Sequence, residues 1–221
     1  MMRNRGLILA SVAVIVAMAA SGWWAGSRLP ADVRLPIHFN VAGEPDDYAD
    51  KWTALMMLPL VALSVSLVFV GILRIDPNRE NVAKSAGLIR VVWGASLGLF
   101  ALIHLMVLDQ ALQWHVVGPN WLMSAIGLFF IALGNQLGKS RPMWFVGIRT
   151  PWTLTNEDVW IATHRLGGKL MVAAGAVWAV VPLFGMPGPV MLVVMIALMA
   201  IAGLVPVVYS YFYWRKLQHR V

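Results

Sequence analysis

The chain contains no cysteine. Disulfides, thiol nucleophiles and thiolate metal sites are therefore excluded, and the redox state of the compartment leaves no trace in the sequence. Charge is scarce as well: 12% of the 221 residues are Asp, Glu, Lys or Arg, about half of what a soluble domain of this length carries. The motifs that mark common catalytic sites are also missing. There is no Gly-x-Ser-x-Gly elbow, phosphate-binding glycine loop, paired-histidine helix or dinucleotide fingerprint. No catalytic residue, metal site or cofactor is expected.

What the chain has instead is apolar surface. Hydrophobic residues make up 60% of it, and the mean hydropathy is +0.74. An integral membrane protein with membrane lipid as its first partner is the direct reading. The net charge of +7 could suggest nucleic acid. The basic residues, however, lie in short connectors, most of them on one side, as membrane orientation requires, so no direct nucleic-acid partner is expected.

Six runs approach the roughly twenty apolar residues needed to cross a bilayer. They cover 7–25, 53–73, 91–108, 121–137, 170–184 and 190–213. Ala17-Met18-Ala19 resembles a signal-peptidase site, but the first run continues well beyond it, so a retained anchor is expected. Pro59 falls inside the second run and predicts a kink. The fifth run is the shortest. The expected fold is an all-α integral membrane protein: six transmembrane helices, with a short interfacial amphipathic helix in the loop between helices four and five. Two units are expected, a two-helix unit over 1–75 with an acidic external loop, and a four-helix unit over 76–221 around a central loop, 139–169.

Orientation follows the positions of Lys and Arg. The connector from Arg74 to Arg90 holds four and the central loop holds five, whereas the connectors after the third and fifth runs hold none. An even number of spans with this alternation places both termini in the cytoplasm. The 26–52 connector has three basic residues but five acids, Asp32, Glu44, Asp46, Asp47 and Asp50. Those carboxylates form a patch able to attract a cationic peptide, or simply a solvated loop face. His38 and Asn40 ahead of Gly43 predict a tight turn.

Within the spans His104 stands nearly alone as a titratable group. A proton relay or a small-solute carrier is one reading, and a neutral imidazole hydrogen-bonded inside the bundle is the favoured one. Asn135 and Gln136 lie at the inner end of the fourth run, placed to cap or pair helices. Gly22 with Gly26, and Gly94 with Gly98, have the spacing of close helix crossings, read here as intramolecular packing. A membrane-embedded hydrolase built on loop carboxylates would need Glu157 or Asp158 beside His164, but helical spacing puts Asp158 nearly opposite His164.

In the central loop, Gly147 suits a backbone conformation closed to other residues. Arg149 suits a phosphate headgroup or a partner's carboxylate, and Thr150-Pro151 favours a turn. Thr155 reads as an N-cap followed by Glu157 and Asp158 in a first helical turn. Val159, Ala162, Thr163 and Leu166 would then form a semi-apolar face, with His164 and Arg165 toward headgroups or cytosol and Gly167-Gly168 as the stop.

Two strings carry a family resemblance. LPIHFNVAGEPDDYADKW resembles the N-terminal domain of unknown function of SdpI-like membrane proteins, and GNQLGKSRPMWFVGIRTPWTLTNEDVWIATHRLGGK resembles the SdpI family signature. The resemblance implies a multi-spanning bacterial membrane protein giving immunity to a secreted antimicrobial peptide toxin. In the founding system the protein is also a signalling receptor that captures a cytoplasmic transcriptional repressor at the membrane. Carried onto this sequence, it implies a peptide-facing set outside, Pro36, His38, Phe39, Asn40, Gly43 and Asp46. Inside it implies a partner or headgroup loop of Gly134, Asn135, Gly147, Arg149, Thr150, Pro151, Trp152, Thr153, Trp160, His164 and Arg165. Met143 stands where the family often has a polar residue such as Asn.

Overall fold

The computed structural model describes residues 5–40, 44–185 and 188–219. Among them six helices are long and apolar enough to cross a membrane. They are α1 (Arg5–Arg28), α2 (Lys51–Ile75), α4 (Ala86–Leu112), α5 (Pro119–Leu137), α7 (Glu157–Val180) and α8 (Gly188–Gln218). Two short helices, α3 (Arg79–Lys84) and α6 (Pro151–Thr155), lie at the end of the bundle that carries the central loop. A 3-10 turn, Val181–Phe184, extends α7. The chain is thus a multi-pass membrane protein, and side chains such as Leu67, Val193 and Leu204 point outward where only lipid can receive them.

The opposite end is capped by an antiparallel hairpin of β1 (Arg34–Phe39) and β2 (Pro45–Asp50), registered Arg34 to Asp50, Leu35 to Ala49 and Pro36 to Tyr48. The alternation is broken by a bulge between Pro36 and His38, and β2 reads PDDYAD, with almost no intrinsic strand preference. The seat beneath explains why it forms. Leu35 is 5% exposed and packs with Ala25, Ala54, Leu55, Leu108 and Ala111, at the ends of α1, α2 and α4.

Asp50 then closes the hairpin and opens α2, accepting the backbone N–H groups of Trp52 (3.0 Å) and Thr53 (3.1 Å). The Thr53 hydroxyl and these N–H groups hold the Asp50 carboxyl below its ordinary range. Because the folded value is the lower one, the cap is in place at neutral pH and is lost as pH falls through that lowered value. Lys51 is almost fully buried and donates to the Leu29 carbonyl at 2.6 Å, tying the start of α2 to the chain leaving α1.

The largest apolar cluster joins α1, α2, α4 and α7 to the central loop. Trp93 is 1% exposed, stacks on Phe69 at 5.6 Å and donates its indole N–H to Ser66 Oγ at 3.2 Å. A different device joins α5 to α7. A Cβ on Gly134 would sit 2.6 Å from the Gly168 carbonyl oxygen, and one on Gly168 would sit 2.5 Å from that of Gly134. Gly175 repeats the pattern one heptad on, 2.6 Å from the Gly127 carbonyl oxygen. The two helices meet backbone to backbone, the contact that small residues permit inside a membrane.

This crossing corrects the reading of Gly167-Gly168 as a helix stop. Both lie inside α7, because Gly168 is needed for close approach to Gly134 rather than for a left-handed cap. The helix expected to lie in the interface from Thr155 onward is the start of a span that begins at Glu157 instead of Leu170. Its cap is Asn156, which accepts the Val159 N–H at 3.1 Å; Thr155 is not the cap. Gly22 and Gly26 pack within the chain, against Leu55, Met56 and the Trp52 ring, whereas Gly98 faces open space.

Candidate functional site

The central loop is held on two sides. On one, residues just after α2 grip its backbone. Asp76 is 2% exposed; one carboxylate oxygen accepts the Asn78 N–H at 2.8 Å and the other the Trp144 N–H at 3.1 Å. Asn78 and Asn81 both donate side-chain N–H groups to the Pro142 carbonyl, at 3.2 and 2.9 Å. Ser85 Oγ accepts the Arg141 N–H at 2.8 Å. Met143 is inserted between these anchors into the apolar cluster, 1% exposed. Its position is a core position here, so an apolar residue meets its requirement.

On the other side the loop is locked to α7. Trp160 and His164 are both fully buried and stacked, ring centres 4.0 Å apart. Trp160 donates its indole N–H to Ser140 Oγ at 3.1 Å. His164 Nε2 lies 2.8 Å from the Ile148 backbone N–H, a group that only donates, so Nε2 is the acceptor. Nδ1 then carries the proton and gives it to the Trp160 carbonyl at 2.8 Å. The ring is a neutral strut between helix and loop. The expectation that His164 faces headgroups or cytosol is thus corrected: its side chain is buried, while Arg165 beside it is exposed.

Gly147 makes that lock possible. Its φ of +127° is closed to other residues, and a Cβ there would lie 2.6 Å from His164 Nε2. Thr150 and Thr153 follow as a reciprocal capping box for α6, Thr150 N–H to Thr153 Oγ1 at 2.8 Å and Thr153 N–H to Thr150 Oγ1 at 3.2 Å. Thr150 Oγ1 also lies 3.2 Å from Ser210 Oγ on α8. Pro151 occupies the first turn of α6, and Trp152 packs edge-on to Tyr211 at 5.1 Å. The surface left over is small: Trp144 and Phe145 are exposed, and Arg149 donates to the Trp144 carbonyl at 2.6 Å with the rest of its guanidinium outward. Asn135 is exposed near the end of α5, and Gly134 belongs to the α5–α7 crossing.

At the hairpin end, His38 Nδ1 is 2.6 Å from Asp46 Oδ1, and Asn40 pairs with Glu44 through side chain and backbone. Phe39 and Tyr48 are exposed, and Pro36 is buried against the helix ends. Gly43 lies outside the described residues. His104 is 2% exposed; its Nε2 is 3.2 Å from Ser21 Oγ, and its Nδ1 has no hydrogen-bond partner among the described residues.

The geometry has counterparts in known proteins. The SdpI/YfhL protein family matches residues 139–210, which comprise the central loop, α6, α7 and most of α8. A domain of unknown function, DUF1648, matches 13–63, which comprise most of α1, the hairpin and the first half of α2. Immunity protein SdpI of Bacillus subtilis (strain 168) is 29% identical over 189 residues, covering 86% of each chain. The chain is similar to the SdpI family over its central loop and last two spans. No solved structure matches it significantly. The first string read from the sequence falls inside the DUF1648 match and the second, from Lys139 onward, inside the SdpI/YfhL match, and the six-span layout surrounds them.

Sequence reasoning missed the receiving side of this SdpI-type loop: Asp76, Asn78, Asn81, Ser85 and Ser140. The available signal was the Asp76-Pro77-Asn78 string, whose short polar side chains and proline favour backbone-bonded turns. Replacing Asp76 with alanine leaves the Asn78 and Trp144 backbone N–H groups, both in part-buried bonds, without that acceptor. A loss of about 2–4 kcal/mol is expected, measured as a lower unfolding midpoint in detergent, whereas alanine at the exposed Glu80 should cost under about 1 kcal/mol.

Proposed function

We propose that the chain is an immunity protein of a bacterial plasma membrane that protects its cell from a secreted antimicrobial peptide toxin without catalysing a reaction. The observation that carries this reading is the similarity to Immunity protein SdpI along 86% of both chains. The hairpin end is taken to face outward. Its Glu44, Asp46 and Asp47 carboxylates, beside the exposed rings of Phe39 and Tyr48, favour a cationic, partly apolar peptide over an anionic one. Both termini and the central loop lie in the cytoplasm, where Arg74, Arg79, Lys84, Lys139, Arg141, Arg149, Arg215 and Lys216 satisfy the positive-inside bias.

In this reading the two units, 1–75 and 76–221, divide the work. The first meets the peptide through Pro36, His38, Phe39, Asn40, Gly43 and Asp46. The second presents Trp144, Phe145 and Arg149, on a loop braced by His164 and Trp160, to a cytoplasmic repressor. The test is survival of a toxin-sensitive bacterium expressing the chain. Protection is expected, with Asp46→Asn/Asp47→Asn lowering it on the hairpin side and Arg149→Ala lowering any reporter response on the loop side. Unchanged killing, with the protein confirmed in the membrane, would rule the reading out.

One observation favours a second reading, a proton or small-solute carrier: His104 is buried in the bundle with no partner for Nδ1 among the described residues. Flux in proteoliposomes that vanishes in His104→Leu would establish it.

A further inference from the structure

Several cations at the loop end of the bundle are tied to oxygens of the protein. Lys84 pairs with Glu80 at 2.7 Å and Arg141 with Glu157 at 3.3 Å. Arg79, Arg90 and Arg149 donate to the carbonyls of Arg74, Ala86 and Trp144. Lys139, Arg165 and Lys169 are different. All three are exposed, and none of their side chains has an ion-pair or hydrogen-bond partner among the described residues.

The fold gathers these three on one flank of the α5–α7 pair. On α7, a Cβ on Gly167 would lie 3.3 Å from Pro206 Cγ, so that side of the helix faces α8. Arg165 and Lys169 stand two residues before and after Gly167, each about 200° around the helix from it, and so turn away from α8. On α5, Gly134 faces Gly168 of α7, and Gln136 reaches Gly87 of α4, its Oε1 3.0 Å from the place of a Cβ there. The exposed Asn135 lies between them, about 180° around α5 from Ile126, which faces the α8 side. The missing side chain at Gly138 lets the stem of Arg165 cross the end of α5: a Cβ there would sit 3.2 Å from Arg165 Cα and 3.3 Å from Arg165 Cγ. Lys139 follows directly. The Gly134–Gly168 contact sets Lys169 level with Asn135, about 6 Å deeper in the bundle than Arg165.

We propose that this flank binds an anionic glycerophospholipid of the loop-side leaflet, its phosphate held between Arg165, Lys169 and Lys139 and a headgroup oxygen accepting the Asn135 amide N–H. A cation on a lipid-facing helix flank is costly unless it reaches an anion or water, and basic clusters beside spans recognise anionic headgroups. The Arg165 guanidinium can take two phosphate oxygens at once. Charge selects the lipid class. Three cations without a paired carboxylate repel the ammonium of a zwitterionic lipid. The carboxylate on this flank of α7, Asp158, lies seven residues before Arg165, about 10 Å along the axis, and pairs with none of the three. Depth selects lipid over other anions. Lys169 and Asn135 lie level with the last turn of the α5 span, where a soluble phosphate or an acidic protein does not follow. A lipid phosphate sits at the edge of the hydrocarbon core, and the lysine stem can rise to meet it. Neither the hairpin nor Trp144 takes part, so the site stands apart from the immunity reading.

The test is native mass spectrometry of the full chain in neutral detergent, titrated with phosphatidylglycerol and phosphatidylethanolamine of identical acyl chains. The wild type should retain one phosphatidylglycerol in preference to phosphatidylethanolamine by about tenfold. Arg165→Gln/Lys169→Gln should bring that ratio close to unity with an unchanged unfolding midpoint, because both side chains are exposed. Arg215→Gln/Lys216→Gln removes the same charge at the end of α8 and should keep the wild-type ratio. Lys139→Gln, which lies beyond the end of α5, should lower the ratio several-fold and does not depend on the α7 variant folding. Equal retention of the two lipids by the wild type would overturn the site. So would an equal fall in both double variants, the result that general attraction to a basic membrane face predicts, or an unchanged ratio in Lys139→Gln. Displacement of the bound lipid by millimolar inorganic phosphate would overturn the choice of lipid over a soluble anion.

Discussion

Gly134→Leu is expected to leave no folded protein in the membrane fraction. The α5–α7 crossing has no room for a side chain at this position, because the Gly168 carbonyl oxygen and the Val172 backbone nitrogen lie 2.6 and 2.9 Å from where a Cβ would start. Both are backbone atoms of a continuous helix and cannot step aside as a flexible side chain would. Relief requires the helices to separate along their length, which also opens the Gly127–Gly175 contact one heptad away. The cost exceeds about 4 kcal/mol, the range in which single substitutions are exceptional. Expression with a fluorescent fusion and size-exclusion chromatography in detergent would show it as loss of the monodisperse peak. Gly98→Leu is the matched control, because a Cβ there meets nothing within 4 Å, and it should behave as wild type.

Gly147→Ala should be nearly as severe, but local. A residue with a side chain resists a φ of +127°, a strain of about 1–3 kcal/mol. The added methyl would also overlap His164 Nε2 and the Trp160 ring, at 2.6 and 2.7 Å. If the loop moves to escape, the Ile148 N–H loses its acceptor inside the protein, at about 1–3 kcal/mol more. His164→Leu removes that acceptor without touching the glycine and should show the smaller, second part of the loss alone. The two variants are separable by unfolding midpoint and by protease sensitivity. Both should expose the 139–150 segment to cleavage, and the six spans should remain intact.

How far the sequence foretold this architecture depends on which physical force set each feature. The spans are written in long apolar runs because lipid demands them, and all six were found, with ends short by a few residues where helices emerge from the bilayer. α7 was the exception: its first three turns are polar enough to pass for an interfacial helix, and Gly167-Gly168 looked like its stop. Only the position of α5 reveals that those glycines serve a crossing. The strands of the hairpin were hidden for a different reason, although His38 and Asn40 ahead of Gly43 predict a turn between them. Two prolines and a β2 of PDDYAD oppose strand formation locally, and Leu35 overcomes this by burial against three helix ends that are distant in sequence. In the central loop, Gly147, Thr150, Thr153 and Trp160 were singled out, Gly147 from its backbone freedom, Thr150 from the turn that Thr150-Pro151 favours, and the other two from resemblance. The anchors that hold Arg141, Pro142 and Trp144, namely Asp76, Asn78, Asn81 and Ser85, lie more than fifty residues upstream, beyond the reach of any local pattern.

The central claim is that the acidic hairpin and the braced basic loop lie on opposite sides of the membrane, with the loop inside. Since the chain has no cysteine, single cysteines at the exposed positions Ala31 and Asn120, and at Lys139 and Asp158, report it directly in intact cells. An impermeant thiol reagent should label Ala31→Cys and Asn120→Cys at once, and Lys139→Cys and Asp158→Cys only after the cells are opened. Labelling of the Lys139 and Asp158 variants from outside, with the other pair protected, would reverse the orientation and end the proposal that the loop recruits a cytoplasmic partner.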